Sequence, residues 1–138
     1  MRHRRLACLI LAASALATEG AFGVAHATEA TTTPLLTRAL PNIDGKEAVM
    51  LTVDYAPGGS SAPHRHNAST FVYVLEGAVV MQVKGGKEVT LSAGDTFYES
   101  PTDVHTVSRN ASTTKPAKFL VFFVKDIGAP SLEPIAAK

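Results

Sequence analysis

From Ala48 onward the chain alternates apolar and polar residues at a period of two. Val49, Leu51, Val53 and Tyr55 interleave with Met50, Thr52 and Asp54. Successive side chains of an extended chain point to opposite faces, so this spacing predicts a strand with one buried face. Further β-branched, aromatic or alternating runs occupy residues 70–75, 78–83, 88–91, 96–99, 105–109 and 118–125. Turn-forming residues separate them: Pro57-Gly58-Gly59-Ser60-Ser61, Gly77, Ser92-Ala93-Gly94-Asp95 and the polar run 110–116. Gly85-Gly86 between Lys84 and Lys87 predicts a two-residue hairpin, because glycine accepts positive φ. No long amphipathic helix is legible after the first 27 residues. About eight short strands with regular turn signals predict an all-β sandwich or barrel in one domain.

Residues 1–27 have the pattern of a secretory signal. Arg2, Arg4 and Arg5 precede an apolar stretch from Leu6 to Ala17, and Ala25-His26-Ala27 fits a small-x-small cleavage site. The apolar stretch is shorter than the roughly twenty residues of a membrane span. The expected division is a cleavable signal peptide over 1–27, an N-terminal extension over 28–46, a barrel over 47–125 and a tail over 126–138. Residues 28–34 are small and polar and read as mobile, and the proline-containing tail reads as irregular. Cleavage near Ala27 would place the mature protein in the periplasm or outside the cell.

The mature chain would have no cysteine, since Cys8 leaves with the leader, so neither disulfides nor thiolate ligands are open to it. It would carry ten Lys and Arg against eleven Asp and Glu. Without a basic stripe, nucleic acid is not an expected partner. No later apolar stretch is long enough for a membrane span.

Three histidines remain: His64 and His66 in Pro63-His64-Arg65-His66, and His105 at the end of the run from Gly94. On a strand, residues i and i+2 share a face, so His64 and His66 can reach one ion while Arg65 points away. Imidazole suits zinc, copper, iron and nickel, and three imidazoles leave coordination positions for water, substrate or oxygen. By alternation from Thr70, Val72 and Val74 would line an apolar pocket. Phe71 and Tyr73 would pack against a second sheet or a partner subunit. The run 119–124 is apolar throughout and reads as a strand buried on both faces or covered by a second protomer. Asp103 is a candidate to orient His105, while Arg65 and Arg109 read as solvated side chains.

The stretch from Pro57 to His66, followed by Phe71-Val72-Tyr73-Val74-Leu75-Glu76-Gly77, resembles the first motif of the cupin superfamily. Gly94-Asp95-Thr96-Phe97-Tyr98 through Pro101 to His105 and Asn110 resembles the second. The similarity spans about residues 47–125. It implies a jelly-roll β-barrel and a divalent metal (Fe, Mn, Zn, Ni or Cu) held by two motif-one histidines, a motif-one glutamate and the motif-two histidine. His64, His66 and His105 match that set, but Thr70 stands at the glutamate position. Ser100 and Thr102 also stand where proline and glycine are usual.

Three readings follow from the missing carboxylate. The site is a three-histidine centre, as in cupin dioxygenases that act on thiols and diketones. Alternatively, Glu99 or a water bound by Thr70 replaces the lost ligand, with the Glu99 side chain expected to point out of the barrel. In the third reading, the metal is weakly held or absent. The expected function is action on a small organic molecule by dioxygenase-like or Lewis-acid chemistry. The alternative is a non-catalytic module that binds a metal or a small ligand. Family habit and open sheet edges also suggest a homodimer.

Overall fold

The computed structural model describes residues 29–135. Residues 1–28, with His3, Cys8, His26 and the expected signal peptide and its cleavage site, lie outside the described residues. All regular structure among the described residues is β. One antiparallel sheet contains β1 (Thr31–Ala39), β2 (Lys46–Tyr55), β5 (Ala68–Glu76), β8 (Thr96–Glu99) and β10 (Ala117–Asp126), in the order β1-β2-β10-β5-β8. The facing sheet contains β4 (His64–Arg65), β6 (Ala78–Val83), β7 (Val89–Ser92), β9 (His105–Asn110) and β11 (Glu133–Pro134), in the order β11-β4-β9-β6-β7. A short β3 (Ser60–Ser61) also pairs with β9. The two sheets close on each other as a jelly-roll barrel.

Period-two alternation decides which side chains fill the barrel. In β5, Ala68, Thr70, Val72 and Val74 are buried while Phe71, Tyr73 and Leu75 are exposed. In β10, Phe119, Val121 and Phe123 point inward. Each such apolar side chain contributes about 1.5–3 kcal/mol on burial. The interior is packed solid at one end, where Val74, Val79, Leu91 and Ala117 meet. At the other end it opens into the cavity described below.

Gly77 turns the chain from one sheet into the other. Its φ is +69°, and a Cβ there would lie 2.6 Å from the Pro116 carbonyl oxygen. Only glycine satisfies both the backbone angle and the close approach.

Four expectations are corrected by the fold. Residues 31–39 are ordered as β1, an edge strand paired with β2 from Thr31↔Asp54 to Ala39↔Glu47, with a bulge that absorbs Pro34 and Leu35. Backbone pairing holds this exposed segment without burial. The Gly85-Gly86 turn is not a two-residue hairpin. Val83 pairs with His105 rather than with β7, so β6 and β7 first join at Met81↔Val89. The tail is not wholly irregular, because β11 pairs with β4.

The fourth correction concerns the aromatic residues. Phe71 and Tyr73 do not face the second sheet; they lie on the outer surface at 46% and 45% exposure. The 119–124 run is likewise not buried on both faces. Leu120, Phe122 and Val124 point outward, where Phe122 is flanked by Met50 and Phe71 in adjacent strands.

Candidate metal centre

The site forms where β4 crosses β9. His64 and His105 are direct antiparallel partners. His66 lies two residues beyond His64 and faces the same way, while Arg65 points out and pairs with Glu133. The His64 ring centroid is 4.8 Å from that of His66 and 5.1 Å from that of His105. One nitrogen from each ring falls within 4.8 Å of the others, and all three residues are buried. The spacing suits three ligands around one ion.

Backbone contacts set the orientation of two rings. His64 Nδ1 contacts the Ala62 carbonyl oxygen at 2.7 Å, and His66 Nδ1 contacts the Ser131 carbonyl oxygen. A carbonyl only accepts, so each Nδ1 carries the proton and each Nε2 presents a lone pair. Burial lowers the pKa of both imidazoles, the main cause in each case. They are held in the neutral form that metals require. Phe123 packs on His66 with ring centroids 4.9 Å apart, and Phe97 stacks on His105 at 6.0 Å.

Thr70 is fully buried, and its cross-strand partner is Glu99. The parity of β8 turns Phe97 and Glu99 inward and Thr96 and Tyr98 outward. This corrects the expectation that Glu99 points out of the barrel: it is 2% exposed and lines the cavity. Its Oε2 lies 3.2 Å from His105 Nδ1. Thr70 Oγ1 reaches back to the Ala68 carbonyl oxygen at 3.5 Å.

Asp103 does not orient His105. Its Oδ2 accepts from the Ser100 backbone N–H at 2.7 Å, and its own N–H donates to the Ser100 carbonyl. It fixes the 100–103 turn, where the resemblance leads one to expect proline and glycine. Asn110 fixes the next loop: its Nδ2 donates to the carbonyls of Ala56 and Lys115, and its Oδ1 accepts from the Ser112 N–H.

The histidines open into a cavity of about 500 Å³. Its walls are mainly apolar, from Leu51, Val53, Val72, Met81, Phe119 and Val121. Val72 lines it, whereas Val74 belongs to the solid core and not to the lining. Among the described residues no Lys or Arg lines it.

Sequence reasoning missed several lining residues. Tyr55 is buried and its hydroxyl lies 2.7 Å from both Ser61 Oγ and Ser108 Oγ. Burial, the main cause, raises the Tyr55 pKa. The tail contributes Ser131 and Leu132. Tyr55 had a detectable signal, as the inward end of an alternating strand. A backbone carbonyl 65 residues from its histidine had none.

The residues fit a metal. Among the described residues, the buried side-chain atoms without a hydrogen-bond partner are Glu99 Oε2, His105 Nδ1 and His105 Nε2. Buried polar atoms are rarely left unsatisfied, and these three cluster beside the other two imidazoles.

A double-sheet barrel with three buried histidines on the wall of its cavity defines the class of protein. The chain belongs to the cupin family: residues 51–123 match the cupin domain. No curated protein matches the chain. Among solved structures, it is similar to an uncharacterised double-stranded β-helix protein from Klebsiella pneumoniae. Their identity is 22% and the TM-score 0.61, over 80% of this chain and 86% of that one. It is also similar to a DMSP lyase from Ruegeria pomeroyi, at 20% identity and TM-score 0.54, over 60% of this chain. An oxalate oxidase bound to the substrate analogue glycolate matches at 28% identity and TM-score 0.53, over 62% of this chain. The chain spans 41% of the lyase and 45% of the oxidase.

Proposed function

We propose that this cupin holds one divalent metal ion through His64, His66 and His105 and binds a small organic molecule beside it through oxygen donors. The observation that carries this reading is the convergence of three buried imidazole nitrogens on a largely apolar cavity. The metal would supply Lewis-acid polarisation or, if iron, oxygen activation. The protein's own groups orient the ligands through Nδ1, exclude water with Phe119, Val121 and Phe123, and limit the guest to about 500 Å³.

Oxalate and glycolate, the ligands named for the oxidase, are anions. The described lining contains Glu29 and Glu99 but no Lys or Arg, so an anionic guest would have to be held by the metal itself rather than by a side-chain cation. Export to the periplasm or beyond, which the leader implies, belongs to the same proposal.

A second reading, binding without turnover, is favoured by the scarcity of free acid–base groups. The Tyr55 hydroxyl is engaged by two serines, and Glu99 faces His105. Oxygen uptake with added Fe(II) on a panel of thiols, diketones and phenols separates the two. Turnover of any member supports the enzyme. Tight retention of such a compound without product, in metal-loaded protein, supports the binding module.

A further inference from the structure

We propose that Glu99 is the positioning residue for His105. Its carboxylate accepts the Nδ1–H of that ring and turns Nε2 toward His64 and His66. This rests on the reading of the site as a metal centre.

The argument begins with the two other rings. His64 and His66 are each tied through Nδ1 to a backbone carbonyl, which leaves Nε2 as the ligand atom. Among the described residues no carbonyl does this for His105, whose two nitrogens lack hydrogen-bond partners. The acceptor placed to take its Nδ1–H is Glu99 Oε2, 3.2 Å away and itself without another hydrogen-bond partner. Glu99 therefore occupies the place that Ala62 and Ser131 hold for the other two histidines. With it, all three rings are held by the same nitrogen and present the same one.

The carboxylate also needs this partner. Glu99 is 2% exposed, and no Lys or Arg lines its cavity among the described residues. A buried carboxylate without a donor is costly, and the imidazole N–H supplies one. The three nitrogens converge without it, which favours a role through His105 over direct coordination. Metal-binding histidines commonly donate their second N–H to such an acceptor, which fixes the tautomer.

The local architecture is built to hold the contact. Thr70, directly opposite Glu99, is small enough to leave the carboxylate room. The Asp103–Ser100 turn fixes the connection between Glu99 and the start of β9.

The test compares full-length wild type, Glu99→Gln and Glu99→Ala, with Co(II) as the probe. Affinity is read by chelator competition, the ligand field by visible absorption, and the His105 tautomer by ¹⁵N NMR of metal-free protein. If Glu99→Ala does not fold, Glu99→Met, similar in length but without a strong acceptor, takes its place. Glutamine retains an acceptor, so Glu99→Gln is expected within about threefold of wild type. Removing the acceptor is expected to weaken Co(II) binding about 10–100-fold. The His105 proton should reside on Nδ1 in wild type and redistribute in Glu99→Ala.

Unchanged affinity and tautomer in Glu99→Ala would overturn the assignment. So would a loss in Glu99→Gln equal to that in Glu99→Ala with an altered spectrum, since that marks a direct ligand. Wild type that takes up no Co(II) overturns the metal-centre reading and this assignment with it. Uptake indifferent to Glu99 overturns the assignment alone.

Discussion

Thr70 and Glu99 face each other across the β5–β8 ladder, both buried. Thr70 stands where the family resemblance leads one to expect a glutamate. The carboxylate near the histidines instead comes from the neighbouring strand. Thr70→Glu would set two carboxylates against each other in a buried space. We expect it to lower the stability of metal-free protein by about 1–3 kcal/mol, read by urea unfolding. Added divalent metal should restore part of the loss.

The tail should matter to metal binding although it is remote in sequence. Ser131 holds His66, and Glu133 ties the tail down through Arg65 and Asn67. A variant ending at Pro130 frees the His66 ring. Its metal affinity should fall about 10–100-fold, measured by chelator competition. Unchanged affinity would show that the Ser131 carbonyl contributes nothing.

The histidines were legible in the sequence because the i, i+2 rule needs only an extended chain, and His64-Arg65-His66 obeys it at the end of β4. The strands were legible where one face is buried, as in β5. β1 was not, because an exposed edge strand carries no burial pattern. The inward turn of Glu99 was not legible either. β8 is four residues long, and its parity is set by pairing with Thr70 rather than by its own composition. The role of the tail depends on a carbonyl oxygen, which every residue has.

Gly77 is the residue the barrel can least replace. In Gly77→Ala the new methyl meets the Pro116 carbonyl oxygen at a backbone angle alanine rarely adopts. We expect a loss of about 1–3 kcal/mol in thermal or urea unfolding. Gly85→Ala should cost less, because a Cβ there meets nothing within 4 Å although φ is also positive.

Metal-free protein should lose stability on acidification. Burial holds His64 and His66 below the usual imidazole value of 6.5. The unfolded chain then binds protons at these rings before the folded one does. Their contribution is fully present above about pH 6.5 and is lost as pH falls through the lower folded-state values. Urea midpoints of wild type and a His64→Gln, His66→Gln double variant between pH 8 and 5 should converge toward low pH. Parallel curves would show that these rings do not titrate differently on folding.

Metal content measures the central claim most directly. Full-length protein is loaded with Fe(II), Zn(II) or Co(II), dialysed and analysed for metal per chain, beside His64→Ala, His66→Ala and His105→Ala. The account predicts about one ion per wild-type chain and a large loss in each folded variant. Wild type that retains no ion, or variants that retain as much as wild type, would contradict it.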